Sequence, residues 1–200
     1  RSSDLSALDQ VTRDRVCHVL MSLPETVSAP IVHVCHNFEE ARMVADTMGI
    51  MRQGRLAQLG HPVHDLLENP MNAYVAQTLG AQNVFQATTT RQDGDIKLQI
   101  GGTTLNKSMP ELNEPEVHIR PWKLSLTPGE EQISDNSVRG VVRDILYKGP
   151  IVEVHLDGPL QLVAHIFRES SCITDLEKGK AVSVEIPESA IHVMGKSTRN

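Results

Sequence analysis

Residues 29–41 read Ala29-Pro30-Ile31-Val32-His33-Val34-Cys35-His36-Asn37-Phe38-Glu39-Glu40-Ala41, and the order of residue types here decides how the first part of the chain is expected to fold. Ala29 to Cys35 is short and largely apolar, the pattern of a strand buried on both faces of a parallel sheet. Asn37 then has the side chain of a helix N-cap, with Glu40 three residues on, and Ala41, Val44, Ala45 and Met48 continue an apolar stripe. Upstream, Val11, Val16, Val19, Leu20 and Leu23 recur at helical spacing over residues 10–23, a helix expected to stop at Pro24. The expected arrangement is helix, strand, helix: an α/β fragment. It is physically incomplete, because a βαβ unit requires neighbouring parallel strands and residues 1–80 do not contain them. The chain also opens without Met, in the loop-like Arg1-Ser2-Ser3-Asp4, so an upstream segment is expected.

Further along, Ile50-Met51 and Leu56 to Leu59 flank Arg52-Gln53-Gly54-Arg55, a hairpin signal in which Gly54 supplies a positive φ. Pro62 opens a short helix to about Glu68, and Met71 to Leu79 reads as another that ends at Gly80. After Gly80 the period switches to that of strands, with runs near 83–89, 95–100, 116–126, 138–147, 150–157, 160–167 and 181–186. Asp93-Gly94, Gly101-Gly102, Asp157-Gly158 and Lys178-Gly179 punctuate them, as in a small all-β barrel or sandwich. A short helix is expected over Arg168 to Leu176, and long loops over 104–115 and 127–137.

Composition narrows the function classes. The formal charge of −6, from 19 basic and 25 acidic residues, gives no electrostatic footprint for nucleic acid or an anionic membrane. Three Phe, two Tyr and one Trp are too few to build base-stacking platforms. Cys17, Cys35 and Cys172 are odd in number and set in apolar runs, which fits buried thiols in a reducing compartment. The sequence contains no stretch of about 18 uncharged apolar residues, so no membrane span is expected. No metal site is expected either. His33 and His36, three apart on an extended segment, face opposite sides, and His61 and His64 have no visible third ligand.

Four elements in fixed order carry more specific information: Leu5-Ser6-Ala7-Leu8-Asp9, His36 after the apolar run, Glu39-Glu40-Ala41 opening a helix, and Gly54-Arg55-Leu56-Ala57-Gln58-Leu59-Gly60. Together they resemble the back half of an ABC-transporter ATPase. The resemblance implies that residues 1–80 are the end of a RecA-like ABC nucleotide-binding domain. It implies that Ser6 and Asp9 lie at the nucleotide and dimer interface, and that His36, the catalytic candidate, reaches the γ-phosphate. A His at the carboxyl end of a parallel strand also lies where doubly wound sheets bind ligands. Three departures stand out. Ser2-Ser3-Asp4 replaces the Asp-Glu-Pro run that supplies the Mg²⁺ ligand and the catalytic Glu, Asn37 replaces the usual Asp, and the 200 residues contain no phosphate loop. ATP and Mg²⁺ are therefore expected only in an intact protein, and this chain alone is expected not to hydrolyse ATP.

From Gly80-Ala81-Gln82-Asn83-Val84-Phe85 onward, with Val117-His118-Ile119-Arg120-Pro121, the chain resembles the C-terminal accessory domain of such importer ATPases, an OB-like barrel of the TOBE or molybdate-binding type. Within it, Ser134-Asp135-Asn136, Gly140, Val142, Gly149, Asp157-Gly158, Leu162-Val163-Ala164, Ser170, Leu176, Gly179 and Val182 resemble the molybdate-binding module in order and spacing. The resemblance implies an oxyanion held by Ser134, Asn136 and Ser170. The family's Lys position falls on Pro187, which offers neither cation nor N–H, so Lys148 or Arg168 would have to compensate. The organisation expected is thus 1–80 and 81–200. The function expected is that of an ATP-binding subunit of a molybdate or tungstate importer. It would work as a homodimer against membrane permease subunits at the cytoplasmic face. A non-catalytic oxyanion sensor or scaffold is the competing expectation.

Overall fold

The computed structural model describes residues 9–27, 29–92, 95–129 and 134–195. Two compact units divide the chain: Arg1–Pro70 with Thr78–Gly80, and Met71–Gln77 with Ala81–Asn200.

In the first unit, α1 (Gln10–Val27) and α2 (Phe38–Val44) are followed by the antiparallel strands β1 (Met48–Arg52) and β2 (Arg55–Gly60) and by α3 (His64–Glu68). Helix α1 continues past Pro24, which forfeits one ladder hydrogen bond but does not end the helix. Asn37 caps α2 as its sequence implies, its Oδ1 accepting from the N–H groups of Glu39 at 2.9 Å and Glu40 at 3.3 Å. The β1–β2 turn holds both central residues at positive φ, Gln53 at 49° and Gly54 at 75°, the twist a two-residue hairpin requires. Gly60 backs onto α3, where a Cβ would stand 2.3 Å from Leu66 Cγ.

The expected buried strand over 29–35 is not formed. Among the described residues no strand pairs with it, and Val32 and Val34 are 90% and 72% exposed. The cause is the one that makes the fragment incomplete: a parallel strand owes its hydrogen bonds and its burial to neighbours on both sides. What remains is an extended segment leading to the Asn37 cap, so the α/β, RecA-like architecture is not displayed by the described residues.

The second unit is mostly β-sheet. Helix α4 (Ala73–Thr78) precedes β3 (Val84–Gln86), β4 (Thr88–Gln92), β5 (Asp95–Ile100), β6 (Thr103–Asn106), β7 (Glu116–Ile119) and β8 (Ser125–Pro128). These are followed by β9 (Ser137–Lys148), β10 (Ile151–Asp157), β11 (Leu162–Phe167), β12 (Ala181–Glu185) and β13 (Ile191–Met194). The sheets run β11-β10-β9-β12-β8, β13-β7-β3 and β4-β5-β6, antiparallel throughout. Strands β6 and β8 run into the stretches 104–115 and 127–137 where long loops were expected, and the strand run expected over 116–126 is divided into β7 and the start of β8 by a 3-10 turn, Pro121–Lys123. The helix expected over 168–176 is a 3-10 turn, Ser171–Asp175. Val117, Ile119, Val152, Val154, Leu156, Ala164, Val182, Val184 and Ile186 are at most 1% exposed and form the heart of one core.

Two buried asparagines tie the sheets together. Asn83, at φ 54°, donates from Nδ2 to the carbonyls of Ile119 at 3.1 Å and Val163 at 2.8 Å, and accepts at Oδ1 from the Val163 N–H at 2.7 Å. It thereby joins β7 to β11, and Asn is among the few non-glycine residues that tolerate this backbone region. Asn136 accepts from the Asn106 N–H at 2.7 Å and donates to the Asn106 carbonyl at 2.9 Å, holding the end of β6 against the start of β9. Each net hydrogen bond contributes about 1 kcal/mol, and a partner left unpaired costs a further 1–3. Asn83→Ala is therefore expected to destabilise the second unit by roughly 2–4 kcal/mol. Urea titration followed by circular dichroism measures this, and Asn83→Gly, which keeps the φ but loses the amide, should recover little of the loss.

Candidate functional site

Of the residues expected at the nucleotide interface, Ser6 lies outside the described residues. Asp9 is exposed and caps α1: its Oδ1 accepts from the Thr12 N–H at 3.0 Å and its Oδ2 from the Thr12 hydroxyl at 2.8 Å. These bonds hold its carboxyl below the usual carboxylate range. His36 is exposed at the end of the extended segment, one residue before the Asn37 cap. Each of the two is thus presented by its own local turn.

The carboxylates near His36 do not suit Mg²⁺. Glu39 accepts from Arg42 at 2.8 Å, while Glu40 is buried beside His33 and Cys35, a setting unlike the oxygen cage that Mg²⁺ requires. With no phosphate loop in the sequence, the described residues offer no fit for a Mg-nucleotide.

On the expected oxyanion side, the Ser134 N–H donates to Ser137 Oγ at 2.8 Å, and the two hydroxyls lie 3.0 Å apart. The Asn136 amide faces the Asn106 main chain, so its effect on an anion would be exerted through that strand end. Asn106 in turn lines an open cleft of about 350 Å³ with Lys97, Lys107, Ser108 and Glu188. Ser170 Oγ lies 3.1 Å from Cys172 Sγ, a weak partner from which the hydroxyl is easily redirected. Neither cation named as a substitute for the missing Lys is free to move in without loss. Lys148 Nζ donates to Glu153 at 2.7 Å, and the Arg168 guanidinium stacks over Tyr147 at 5.9 Å.

Sequence reasoning did not find the group around Glu153. Glu153 faces His165 across the β10–β11 ladder, and its carboxylate, with a side chain only 8% exposed, lies 3.5 Å from His165 Nε2 and 3.6 Å from His155 Nε2. Arg143 reaches His155 Nδ1 at 3.1 Å and Asp157 at 3.2 Å. Burial works against ionisation of Glu153, but the Lys148 hydrogen bond and charge outweigh it and hold the carboxyl low. Burial pushes His165 down against the pull of Glu153. The alternation of Glu153 and His155 on β10 was legible, but their partners come from Lys148 and His165 on other strands.

Residues 117–194 match the family model described as the TOBE domain. This span begins at the wholly buried β7 and ends with β13, its ladder partner. Over 188 residues the chain is 30% identical to the molybdate/tungstate import ATP-binding protein WtpC of Pyrococcus abyssi, covering 93% of this chain and 53% of that protein. Over 197 residues it is 30% identical to the spermidine/putrescine import ATP-binding protein PotA of Vibrio cholerae, covering 92% and 51%. The chain thus spans about half the length of the curated relatives it matches, and what it matches is a C-terminal part of ABC importer ATP-binding proteins. A molybdate-bound crystal structure of the molybdate-binding protein ModG aligns at 18% identity with a TM-score of 0.45, over 57% of this chain and 96% of that one, below the level that establishes a shared fold.

Inside the span that matches the TOBE model, His118 is 1% exposed and neither ring nitrogen has a hydrogen-bond partner among the described residues. Burial first, then the charges of Arg120 and His192, lower its pKa to about 4. The unfolded chain takes up this proton near pH 6.5 and the folded chain only near 4. The stability His118 permits is therefore complete above pH 6.5 and is lost as pH falls between the two values, by at most about 1.4 kcal/mol per pH unit. An NMR titration should place His118 near 4, and His118→Phe should flatten the fall of Tm between pH 6.5 and 4 by one proton's worth.

Proposed function

We propose that this chain is the C-terminal part of the ATP-binding subunit of an ABC importer, and that the imported solute is a tetrahedral oxyanion of the molybdate or tungstate class. One observation carries the reading: the TOBE domain sits in a chain that matches a molybdate/tungstate import ATP-binding protein over 93% of its length. In the intact subunit, ATP and Mg²⁺ would be held largely by residues other than these. His36 would meet the γ-phosphate, and Ser6 and Asp9 the partner copy across it. The exposure of Asp9 and His36 supports this, because both are left available to another surface. The subunit would work as a homodimer beneath membrane permease subunits, on the cytoplasmic side.

For the oxyanion, the proposed donors are the hydroxyls and main-chain N–H groups around Ser134 and Ser170, with Asn136 fixing the strand end beside them. Charge-assisted bonds contribute about 1.5–3 kcal/mol each, and with Pro187 in the family's Lys position a strong contributor is missing, so binding is weak. A polyamine is the second reading, favoured by the equal identity to a spermidine/putrescine importer and by the net charge of −6.

Two measurements test the proposal. The chain as given should release no phosphate from Mg-ATP above a His36→Ala control, and turnover well above that control contradicts the assignment of the hydrolytic machinery to residues outside it. Isothermal titration with molybdate, tungstate and spermidine separates the solutes. Weak oxyanion binding that drops about tenfold in Ser170→Ala, the loss of one such bond, is expected. Heat with spermidine and none with either oxyanion assigns the polyamine reading instead.

A further inference from the structure

We propose that His33, Cys35 and Glu40 form a binding site for a thiophilic divalent cation of the zinc type. A ring nitrogen of His33, the Cys35 sulfur and a Glu40 carboxylate oxygen all lie within 4.8 Å of one another. Two features of the local chain bring them there. His33 and Cys35 are two residues apart on the segment ahead of the Asn37 cap, and the donor atoms of both lie within 4.8 Å of the Glu40 carboxylate. Asn37 then turns the chain into α2, whose third residue is Glu40, and the carboxylate returns to within 2.7 Å of His33 Nε2.

The donor set is nitrogen, sulfur and oxygen. Mg²⁺ and Ca²⁺ take oxygen ligands almost exclusively, whereas zinc accepts all three, at about 2.0–2.3 Å. Tetrahedral ligands at those bond lengths stand about 3.3–3.8 Å apart, so side-chain adjustments of an ångström or less complete the site. The ion would enter the His33–Glu40 hydrogen bond at Nε2, the neutral ring then carrying its proton on Nδ1, and the Cys35 thiol proton would be released to solvent. The surroundings favour a cation. Glu40 is 5% exposed, and Cys17 on α1 is fully buried nearby. A bound cation would offset the buried Glu40 charge, and its binding would displace the Cys35 thiol proton. An ion pair accounts for His33 and Glu40, and the Cys35 thiol, which donates to the Asn37 carbonyl at 3.5 Å, stands with them inside the same 4.8 Å.

Equilibrium dialysis of the full chain against Zn²⁺ and Co²⁺ tests the site, with Co²⁺ as a spectroscopic reporter. The expected result is one equivalent bound, with a thiolate-to-cobalt charge-transfer band in the near ultraviolet and intense visible bands of a tetrahedral centre. Cys35→Ser should abolish the charge-transfer band, and His33→Ala and Glu40→Gln should each weaken binding at least tenfold. Circular dichroism of each variant confirms that α1 and α2 persist. Cys172→Ser, in the other unit, should leave the spectrum unchanged. Absence of the band in the wild-type chain, or a band that survives Cys35→Ser, overturns the proposal and leaves His33 and Glu40 as an ion pair only.

Discussion

The second unit depends on one constraint: a single buried amide must satisfy main-chain groups on two sheets at once. Asn83 meets it by standing in a left-handed conformation just before β3, from which its side chain reaches both Ile119 and Val163. The Ile119 N–H also bonds the Asn83 carbonyl at 3.0 Å, so β7 is fixed to this residue through both main chain and side chain. Asn136 repeats the device between β6 and β9. Both clamps join a residue before 117 to one inside the TOBE span, so the folded domain begins well ahead of the stretch its family model matches. Glu116 extends the same logic toward α4, accepting from the Ala73 N–H at 2.5 Å and from Gln86 Nε2 at 3.0 Å.

Against these satisfied groups, His118 stands out as a buried ring with nothing to bond. Trp122 meets its ring edge-on with centroids 6.1 Å apart, an aromatic contact that supplies no hydrogen bond to either ring nitrogen. Glu153 is the opposite case, a buried carboxylate that keeps its charge because Lys148 and two histidines surround it. One β-module therefore contains a titratable group kept neutral by lack of partners and another kept charged by their abundance.

Much of the local structure was legible in the sequence because its causes are local. The Asn37 cap, the Gln53-Gly54 turn and the run of strands after Gly80 are each set by residues within a few positions. What was not legible depends on partners distant in the chain. The apolar run 29–35 has strand chemistry but finds no sheet among the described residues, so its side chains stay exposed. Strand β6 was hidden in a polar, loop-like stretch because its pairing with β5 and the Asn136 clamp, not propensity, make it a strand. The family resemblance named Ser134, Asn136 and Ser170 as candidates, while the Asn136 amide contacts, the cleft beside Asn106 and the His33, Cys35, Glu40 convergence required the fold.

The order of the sheet β13-β7-β3 has a consequence for how the chain must be made. Strands β9, β10 and β11 form a meander that can pair as soon as each hairpin is complete, with little loop-closure cost. Strand β7 cannot: its ladder partner runs Ile191–Met194, near the far end of the domain. During synthesis at roughly 5–20 residues per second, β7 therefore spends on the order of 4–15 s with one edge unpaired after it has emerged. Its four residues, Glu116, Val117, His118 and Ile119, are all buried in the finished domain. An acidic residue at its start and a protonatable ring at its centre are poor material for sticking to another chain. The buried polar groups of β7 thus guard the nascent domain against edge-to-edge association during the interval in which its last strand has not yet been translated.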